Sequence, residues 1–510
     1  MSAKTLMVVG TASSVGKSLL VAAFCRIFKR RGYAAAPFKA QNMSLNSFVT
    51  EEGHEMGRAQ ASQAEAAGLR PSALMNPILL KPTTNSKSQV IVNGKARGNM
   101  SAAEYYAYKD KLRPEVMAAF SALAQAYDLV LIEGAGSPAE INLMDGDFVN
   151  MGMAALAGAP VILVGDIDRG GVFASLYGTV KLLPAEDQAR IKGLLINKFR
   201  GDVKILEPGL RQIENLLHIP VLGVMPYDRF ALDEEDSLTD RLTARGGGGS
   251  VNIAVLRLPR IANFTDFAVF DSLPGVSLTY VDEVCDLAAA DMIILPGSKN
   301  TIEDMRHLHE SGLAGAIKKL AEEGRVVAGI CGGFQMLGNF IHDPYGMESD
   351  QPSIAGLGLL DLETSFARDK HTTQTTVVAR ALPGVLEGLE GESLSGYEIH
   401  MGQTAVGPGV APLADGGDGP FGAASRGGNV FGTYLHGFFD NLSFTRRLLN
   451  NIRRAKGLDA ATGNDETAVY QQLKEREYDR LADMVEAHLP FETLLKIING
   501  FSPCKEIFDE

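Results

Sequence analysis

Short apolar runs of strand length alternate with longer helix-like stretches through the first half of the chain. The runs lie at residues 5–9, 129–133, 160–165, 191–197 and 221–224. They are bounded by glycine and separated by segments whose apolar residues repeat at helical spacing. Runs that are apolar throughout are typical of strands buried on both faces. This half therefore predicts a parallel sheet covered by helices on both sides.

A glycine tract at residues 246–250 (GGGGS) is the clearest boundary in the chain, because consecutive glycines neither pack nor hold one conformation. A second series of strand-like runs follows at residues 251–256, 292–295, 325–330 and 430–434. From about Leu442 onward the pattern is helical, with apolar side chains at Tyr478, Leu481, Met484, Val485 and Leu489. We expect an α/β protein divided into a parallel-sheet domain (1–245), a linker (246–250), a second α/β domain (251–445) and a helical C-terminal segment (446–510).

Composition narrows the class of protein. The 510 residues include 48 Lys and Arg against 61 Asp and Glu, a net charge of −13, which argues against general binding of nucleic acid. The most apolar stretch, residues 151–165, is shorter than the roughly 20 residues of a membrane span. The N-terminus does not resemble a signal peptide, and the four cysteines show no CxxC spacing. We therefore expect a cytoplasmic protein without nucleic-acid or membrane partners.

The first candidate site directly follows the first predicted strand. Residues 10–18, GTASSVGKS, join that strand to an apolar helix at residues 19–28. This arrangement wraps backbone N–H groups around phosphates at a helix N-terminus, with Lys17 supplying charge and Ser18 a Mg²⁺ ligand. The spacing is one residue longer than the common GxxxxGK[ST] pattern, and the alternative is an ordinary strand–helix turn. The full context favours a phosphate-binding loop.

Carboxylates that could hold the metal follow two other predicted strands. Glu133 ends one strand, and Asp166 and Asp168 follow another, all at the edge where open α/β sheets bind ligands. Mg²⁺ needs only one or two carboxylates besides phosphate oxygens and water. The competing interpretation makes the aspartates helix caps.

Several further polar loops follow strands in the first half and predict a shared binding cleft. Their polar residues include Lys39, Gln41, Asn42, Lys81, Arg169 and Asn197.

The second candidate site is a cysteine at a strand-to-helix turn. Cys331 stands in Gly-Ile-Cys-Gly-Gly after the apolar run at residues 326–330, the cysteine counterpart of G-x-S-x-G. Small neighbours permit the sharp turn, and a helix N-terminus favours the thiolate. The alternative is a buried structural cysteine.

A nucleophilic cysteine also needs a base and donors for an oxyanion. His436 follows the last strand-like run and is preferred over His400, which lies among polar residues. Backbone N–H groups around Gly297 and Gly332 could stabilise the oxyanion.

Together these motifs resemble those of the cobyric acid synthases, glutamine-dependent amidotransferases of cobalamin biosynthesis. The match covers nearly the whole chain in GTASSVGKS, QNMSLNS, EMGRAQ, NPILLKP, EGAGSPAEINL, DIDRGGVFA, NKFRGD, LPGSKNT, GICGGFQMLG, YEIHMGQT and GTYLHGFFDN. QNMSLNS and DIDRGGVFA separate this family from the related cobyrinic acid a,c-diamide synthases and dethiobiotin synthetases. The resemblance implies a P-loop NTPase-type domain like that of dethiobiotin synthetase, followed by a class I glutamine amidotransferase domain.

The resemblance implies roles for specific residues. Cys331 becomes the glutaminase nucleophile and His436 its base. The nucleotide is ATP, with contacts at Gly10, Thr11, Val15, Gly16, Lys17, Ser18 and Asn197. The Mg²⁺ ligands are then Ser18, Glu133 and Asp166. The implied acceptor is adenosylcobyrinic acid a,c-diamide, amidated at its b, d, e and g carboxylates to adenosylcobyric acid, with candidate contacts at Lys39, Gln41, Asn42, Lys81 and Arg169.

One position departs from the usual class I glutaminase pattern. A glutamate normally stands two residues after the histidine, where this chain has Phe438. Asp440 and Glu398 are possible substitutes for the missing orienting group. Two other functions stay open: a cobyrinic acid a,c-diamide synthase, and a nucleotide-dependent regulatory protein with a degenerate glutaminase domain.

Overall fold

The computed structural model describes residues 3–84, 86–232, 248–417, 419–461 and 470–501. The first two glycines of the predicted linker and the last nine residues of the predicted C-terminal segment lie outside these ranges.

The first half forms a three-layered α/β domain. Its strands are β1 (Lys4–Gly10), β2 (Ala35–Phe38), β3 (Gln41–Met43), β4 (Ser47–Val49), β5 (Glu55–Gly57), β6 (Ile78–Pro82), β7 (Lys87–Val92), β8 (Lys95–Ser101), β9 (Leu129–Glu133), β10 (Val161–Asp166), β11 (Ile191–Phe199) and β12 (Val221–Pro226). Its helices are α1 (Lys17–Arg30), α2 (Arg58–Ala67), α3 (Ala102–Ala126), α4 (Met151–Leu156), α5 (Val172–Leu182), α6 (Ala185–Gln188) and α7 (Val203–Leu217).

Six of these strands form a parallel sheet in the order β12-β11-β10-β1-β9-β2. Side chains of the central strand alternate between two apolar cores, with Met7 and Val9 on one face and Leu6 and Val8 on the other. The predicted parallel sheet with helices on both faces is confirmed. β3, β6, β7 and β8 form a separate four-stranded sheet beside it.

The second half contains a further parallel sheet and a long hairpin. Its strands are β13 (Val251–Leu256), β14 (Ile261–Ala262), β15 (Val276–Val281), β16 (Met292–Leu295), β17 (Gly297–Ser298), β18 (Val326–Ile330), β19 (Phe340–His342), β20 (Ser353–Ala355), β21 (Leu362–Ala379), β22 (Ser393–Val406), β23 (Val410–Ala411), β24 (Ala414–Gly416), β25 (Gly419–Phe421), β26 (Ala423–Ser425) and β27 (Val430–Thr433). The helices are α8 (Thr301–Glu310), α9 (Leu313–Glu322), α10 (Gly332–Met336), α11 (Leu442–Ala455), α12 (Tyr470–His488) and α13 (Phe491–Gly500).

The main sheet of this half has the order β15-β13-β16-β18-β27-β26-β23. Its first five strands are parallel, and β26 and β23 pair antiparallel at one edge. β21 and β22 pair antiparallel in the next sheet, and both contact the first domain, through Gln374 to Val49 and through Tyr397 to Ser47. The sequence pattern did not predict this hairpin, because the middle of β21 is a polar, partly exposed run, DKHTTQTT.

The C-terminal helices divide between the two halves of the molecule. α11 crosses the predicted boundary after residue 445 and packs in the core of the second half. By contrast, α12 packs on α1: Arg26 pairs with Glu475 (2.7 Å) and Asp479 (2.8 Å), and Tyr478 is fully buried. The helical character predicted for this segment is confirmed. Nowhere in the described ranges does a helix reach the length and apolarity needed to cross a membrane.

Candidate functional site

The phosphate-loop sequence folds as a loop between β1 and α1. Gly16 has a φ of 97°, and a Cβ there would collide with the amide of Asn197. Asn197 in turn donates to the backbone oxygen of Val15 at 2.8 Å. The loop is therefore held in place by a residue from β11, two strands away.

Charged and hydroxyl side chains from the start of α1 face into this loop. The Lys17 ammonium donates to the carbonyls of Ala12 (2.9 Å) and Gly136 (3.0 Å), and Lys17 is buried. Ser18 Oγ donates to Glu133 at 2.9 Å. A loop of backbone N–H groups with a cation at its centre suits an anionic phosphate.

Glu133, at the end of β9, is a fully buried carboxylate. It accepts from Lys39 at 2.9 Å and from Gln63 on α2 at 2.6 Å. Burial raises its pKa, but the ammonium of Lys39 and the hydrogen bonds outweigh burial and hold the pKa below its usual value. Glu133 is therefore ionised at neutral pH. Its oxygens and the Ser18 hydroxyl form a hard donor set that fits Mg²⁺.

Asp166, the other predicted metal ligand, ends β10 and forms an ion pair with Lys198 at 2.9 Å. Lys198 also donates to the Ser14 carbonyl in the phosphate loop. Asp168 pairs with Arg200 instead. Glu133 therefore contacts Ser18 directly. Asp166 instead contacts Lys198, which is hydrogen-bonded to the phosphate loop.

A cavity of about 870 Å³ opens beside the phosphate loop. Lys39, Asn42 and Arg169, three of the predicted acceptor contacts, line it together with Tyr280 of the second half and Tyr478 of α12. The other two lie elsewhere: Gln41 accepts from Tyr105, and Lys81 is buried in an ion pair with Glu55 at 2.9 Å.

Cys331 occupies a strained turn between β18 and α10. Its φ of 53° lies in the left-handed region, which side chains other than glycine rarely adopt. A Cβ at Gly329 would lie 2.6 Å from the Gly333 carbonyl, so the turn requires glycine at that position. The strain projects the thiol from the sheet edge, where its sulfur lies 3.7 Å from the Ile399 carbonyl.

His436 reaches the cysteine because β27 pairs with β18, placing Thr433 opposite Ile330. Its Nδ1–H donates to Asp266 Oδ2 at 2.7 Å, and both residues are buried. Burial lowers the pKa of His436, but the carboxylate of Asp266 and the neighbouring sulfur of Cys331, when it is a thiolate, raise it to about 10. The site therefore favours an imidazolium that can stabilise a thiolate.

Asp266 is the orienting group that sequence reasoning missed. It lies on a short helical segment, Phe264–Ser272, and is separated from His436 by 170 residues. The two residues predicted for this role, Asp440 and Glu398, are therefore wrong, because Asp266 accepts the hydrogen bond from Nδ1 of His436. Glu398 instead accepts from Thr375 (2.8 Å) and lies 3.3 Å from His400. Asp440 lies in the turn Phe438–Asp440. The sequence feature that could have identified Asp266 is its place as the one acidic residue in an otherwise largely apolar run, FTDFAVF.

Glycines border the cysteine where an oxyanion would form. A Cβ at Gly297 would lie 3.4 Å from His436 Cε1, and one at Gly332 would lie 2.8 Å from the Ser298 backbone nitrogen. Gly297 therefore lies beside His436, and Gly332, the residue after Cys331, lies beside the backbone of Ser298.

The glutaminase residues are also tied to the first domain. The Ser47 N–H donates to Asn263 Oδ1 at 2.9 Å, and Asn263 Nδ2 lies 3.3 Å from each ring nitrogen of His436. The Phe264 N–H donates to Asn46 Oδ1, and the Tyr397 hydroxyl donates to the Ser47 carbonyl. The motif QNMSLNS thus contacts the histidine of the other site through one asparagine.

Comparison with known proteins finds a matching family for each half of the chain. Residues 6–238 match a family described as the CobQ/CobB/MinD/ParA nucleotide binding domain, and residues 252–444 match the CobB/CobQ-like glutamine amidotransferase domain. A protein of Alkaliphilus metalliredigens named cobyric acid synthase is 52% identical over 505 residues, covering 97% of this chain and 100% of that protein.

Two further relatives carry the same name. The Lachnoclostridium phytofermentans protein is 50% identical over 97% of this chain and 99% of its own length. The Caldanaerobacter subterraneus protein is 49% identical with the same coverage. Identity near one half along nearly the full length, with both domains matched, shows that the chain belongs to the cobyric acid synthase family.

Proposed function

We propose that the protein is an ATP-dependent glutamine amidotransferase that converts adenosylcobyrinic acid a,c-diamide into adenosylcobyric acid by amidating its b, d, e and g carboxylates. One observation carries the proposal: a phosphate-loop site and a Cys–His–Asp site lie in one chain, joined through Asn263. A carboxylate must be activated before ammonia can displace its oxygen, and ammonia must be released from glutamine. The two sites match these two tasks.

In the glutaminase site, the Cys331 thiolate attacks the side-chain amide carbon of glutamine, and a carbon–sulfur bond forms. Donors around Gly297 and Gly332 stabilise the oxyanion. When the carbon–nitrogen bond breaks, His436 transfers its proton to the departing nitrogen, which leaves as ammonia. Asp266 holds the imidazole so that Nε2 faces this reaction. Water then hydrolyses the thioester to glutamate and restores the thiol.

In the phosphate-loop site, an acceptor carboxylate oxygen attacks the γ-phosphorus of ATP, and the bond to ADP breaks. Lys17 stabilises the charge on the transferred phosphoryl group. Ammonia attacks the resulting acyl phosphate, and phosphate leaves as the amide forms. Mg²⁺, when bound, neutralises phosphate charge, and Ser18 and Glu133 are the residues that would hold it, with Asp166 as a further predicted ligand.

We assign the acceptor's carboxylates to the basic and amide groups of the cavity wall, Lys39, Asn42 and Arg169. Gln41 and Lys81 stay predictions for the same role. The proposed functional units are residues 1–245, 251–445 and 446–510, and the proposed location is the cytoplasm, where ATP and glutamine are supplied.

The test is mass-resolved product formation from adenosylcobyrinic acid a,c-diamide with ATP and Mg²⁺, supplied with either glutamine or ammonium. Cys331→Ala is expected to lose glutamine-supported amidation and to keep the ammonium-supported reaction. Cys285→Ala, which removes an exposed thiol elsewhere, is the matched control and should change neither.

Two outcomes would overturn the proposal. No amidation by the folded, ATP-binding wild type with either donor would favour a regulatory protein. With cobyrinic acid supplied as a second acceptor, amidation of only its a and c carboxylates, together with no reaction on the a,c-diamide, would identify a cobyrinic acid a,c-diamide synthase.

A further inference from the structure

Three titratable side chains of the long hairpin take no part in the proposed reaction. His371 on β21 and Glu398 and His400 on β22 each point one donor atom into a common space, with all three atoms within 4.8 Å of one another. Glu398 Oε2 lies 3.3 Å from His400 Nε2, and Glu398 Oε1 lies 3.9 Å from His371 Nε2. Glu398 and His400 are mostly buried, whereas His371 is about half exposed.

The hydrogen bonds around these three side chains show which nitrogen of His400 has a free lone pair. His400 Nδ1 lies 2.8 Å from the Gly402 carbonyl, which only accepts, so Nδ1 carries a proton. In the neutral imidazole the Nε2 lone pair then faces the Glu398 carboxylate. Two facing lone pairs repel unless a proton or a cation lies between them. One proton on His400 would satisfy Glu398 Oε2, whereas His371, whose ring packs against that of His400 with centroids 5.3 Å apart, brings a further nitrogen to the same space.

The shorter donor spacing matches that of a tetrahedral metal ion, and the 3.9 Å spacing would have to shorten when the ion binds. Ligands about 2.0–2.1 Å from Zn²⁺ in a tetrahedral arrangement are roughly 3.3 Å apart, close to the shorter contact here. Side chains that bind a metal ion are usually held in place by further hydrogen bonds to the surrounding protein. Here His400 Nδ1 donates to the Gly402 carbonyl, and Thr375 donates to Glu398 at 2.8 Å. The exposed His371 leaves one side open to water.

We propose that His371, Glu398 and His400 bind one divalent transition-metal ion of the zinc class, with water in the fourth position. Two imidazoles and one carboxylate are a donor set that such ions prefer over Mg²⁺ or Ca²⁺.

The position of the cluster indicates what the ion does. The β21–β22 ladder is interrupted between Phe366 and His371, so the cluster sits at the first pair after the irregularity. The interrupted segment carries Lys370, which pairs with Glu55 of the first domain at 2.5 Å. A bound ion therefore clamps the hairpin where it docks on the other domain.

The experiment measures Zn²⁺ binding to the full chain after chelator treatment, in a parent lacking competing thiols (Cys285→Ala, Cys331→Ala and Cys504→Ala). We expect one equivalent to bind, a rise in the thermal unfolding midpoint, and visible Co²⁺ absorption of tetrahedral intensity. His371→Ala and Glu398→Gln should each weaken binding at least about 10-fold. His342→Ala is the matched control and should bind like the parent, because it removes a histidine that lies near one carboxylate, Glu363 (3.7 Å), and the Ser353 hydroxyl (3.0 Å) rather than in the cluster.

Absence of Zn²⁺ binding to the parent would overturn the site, as would equal affinity in the parent and His371→Ala. His371 is exposed, so its removal leaves the core intact and the comparison valid even where Glu398→Gln alters the hairpin. Because the readout is binding, the result is independent of whether the amidation proposal holds.

Discussion

The two reaction sites hold their key carboxylates in opposite ways. Glu133 of the phosphate-loop site is surrounded by donors that ATP or a metal would replace or share, namely Lys39, Ser18 and Gln63. Asp266 of the glutaminase site already makes the contact that its role requires, a short hydrogen bond to His436. In the phosphate-loop site, neighbouring side chains occupy the carboxylate oxygens that a ligand would use. In the glutaminase site, the carboxylate already makes its functional hydrogen bond before substrate binds.

This difference has a physical basis. A phosphate loop must accept a highly charged ligand, so its internal hydrogen bonds stand in for that ligand and are exchanged when it binds. A cysteine–histidine pair must generate a nucleophile from neutral groups, which requires a fixed tautomer and a fixed charge. Activity at the phosphate-loop site should therefore depend most on the groups that bind ATP and Mg²⁺. Activity at the glutaminase site should depend most on the group that orients His436.

The largest effect is expected from Lys17→Met. The variant lacks the cation of the phosphate loop, so glutamine-supported and ammonium-supported amidation should both fall by about 10³-fold. Steady-state product formation with each donor measures this. Glutamine hydrolysis should change little, and Lys204→Met, at an exposed lysine on α7, is the control. A parallel loss of hydrolysis would contradict the separation of the sites.

Asp266→Asn should lower kcat for glutamine hydrolysis by roughly 10²-fold, because an amide NH₂ facing Nδ1 imposes the wrong imidazole tautomer. Ammonium-supported amidation should persist. Asp282→Asn, at an exposed aspartate, is the control. Equal losses with both donors would mean that Asp266 acts on the fold rather than on His436.

The same variant has a defined pH signature. Burial lowers the pKa of His436, whereas Asp266, with a smaller contribution from Cys331, raises it to about 10, above its usual value of 6.5. The alkaline limb of hydrolysis should therefore move to lower pH in Asp266→Asn. The stabilisation that this pair gives the fold is fully present below about pH 6.5 and is lost as pH rises toward 10. An unchanged alkaline limb would show that Asp266 does not set this pKa.

A smaller effect is expected from Gln63→Leu. Gln63 donates to Glu133 at 2.6 Å and to the Ser18 carbonyl at 3.2 Å, so it contacts two of the three proposed metal ligands. The Mg²⁺ concentration for half-maximal amidation should rise about 10-fold. Titration of Mg²⁺ at saturating ATP measures the shift, with Gln188→Leu on α6 as the control. An unchanged Mg²⁺ requirement would remove Ser18 and Glu133 from that role.

The smallest effect is expected at the link between the sites. Asn263→Gly keeps the left-handed backbone (φ 53°) and removes the side chain between Ser47 and His436. Glutamine hydrolysed per amide formed should rise about threefold as the sites become less coupled. The ratio of glutamate to amide product measures it. Asn93→Gly, at another left-handed asparagine, should leave the ratio unchanged.

Local features of the sequence predicted both sites well where one strand and its following loop suffice. As the glycines predicted, residues 10–18 form a loop between a strand and a helix. Cys331 likewise lies at the turn between a strand and a helix. Glu133 and Ser18 were also predicted together, because both lie at the carboxyl edge of one parallel sheet. Lys81 was less predictable, since its buried pairing with Glu55 depends on a separate sheet that the apolar pattern does not mark.

The sequence alone determined the fold class, the two chemistries and the family, because these depend on short motifs and on the period of apolar residues. Only the tertiary structure decided what orients His436, which hairpin histidines come together, and how the C-terminal helices cover the phosphate-loop domain. Each of these depends on residues far apart in the chain. Their contacts arise when separate elements pack, and spacing along the sequence does not record that packing.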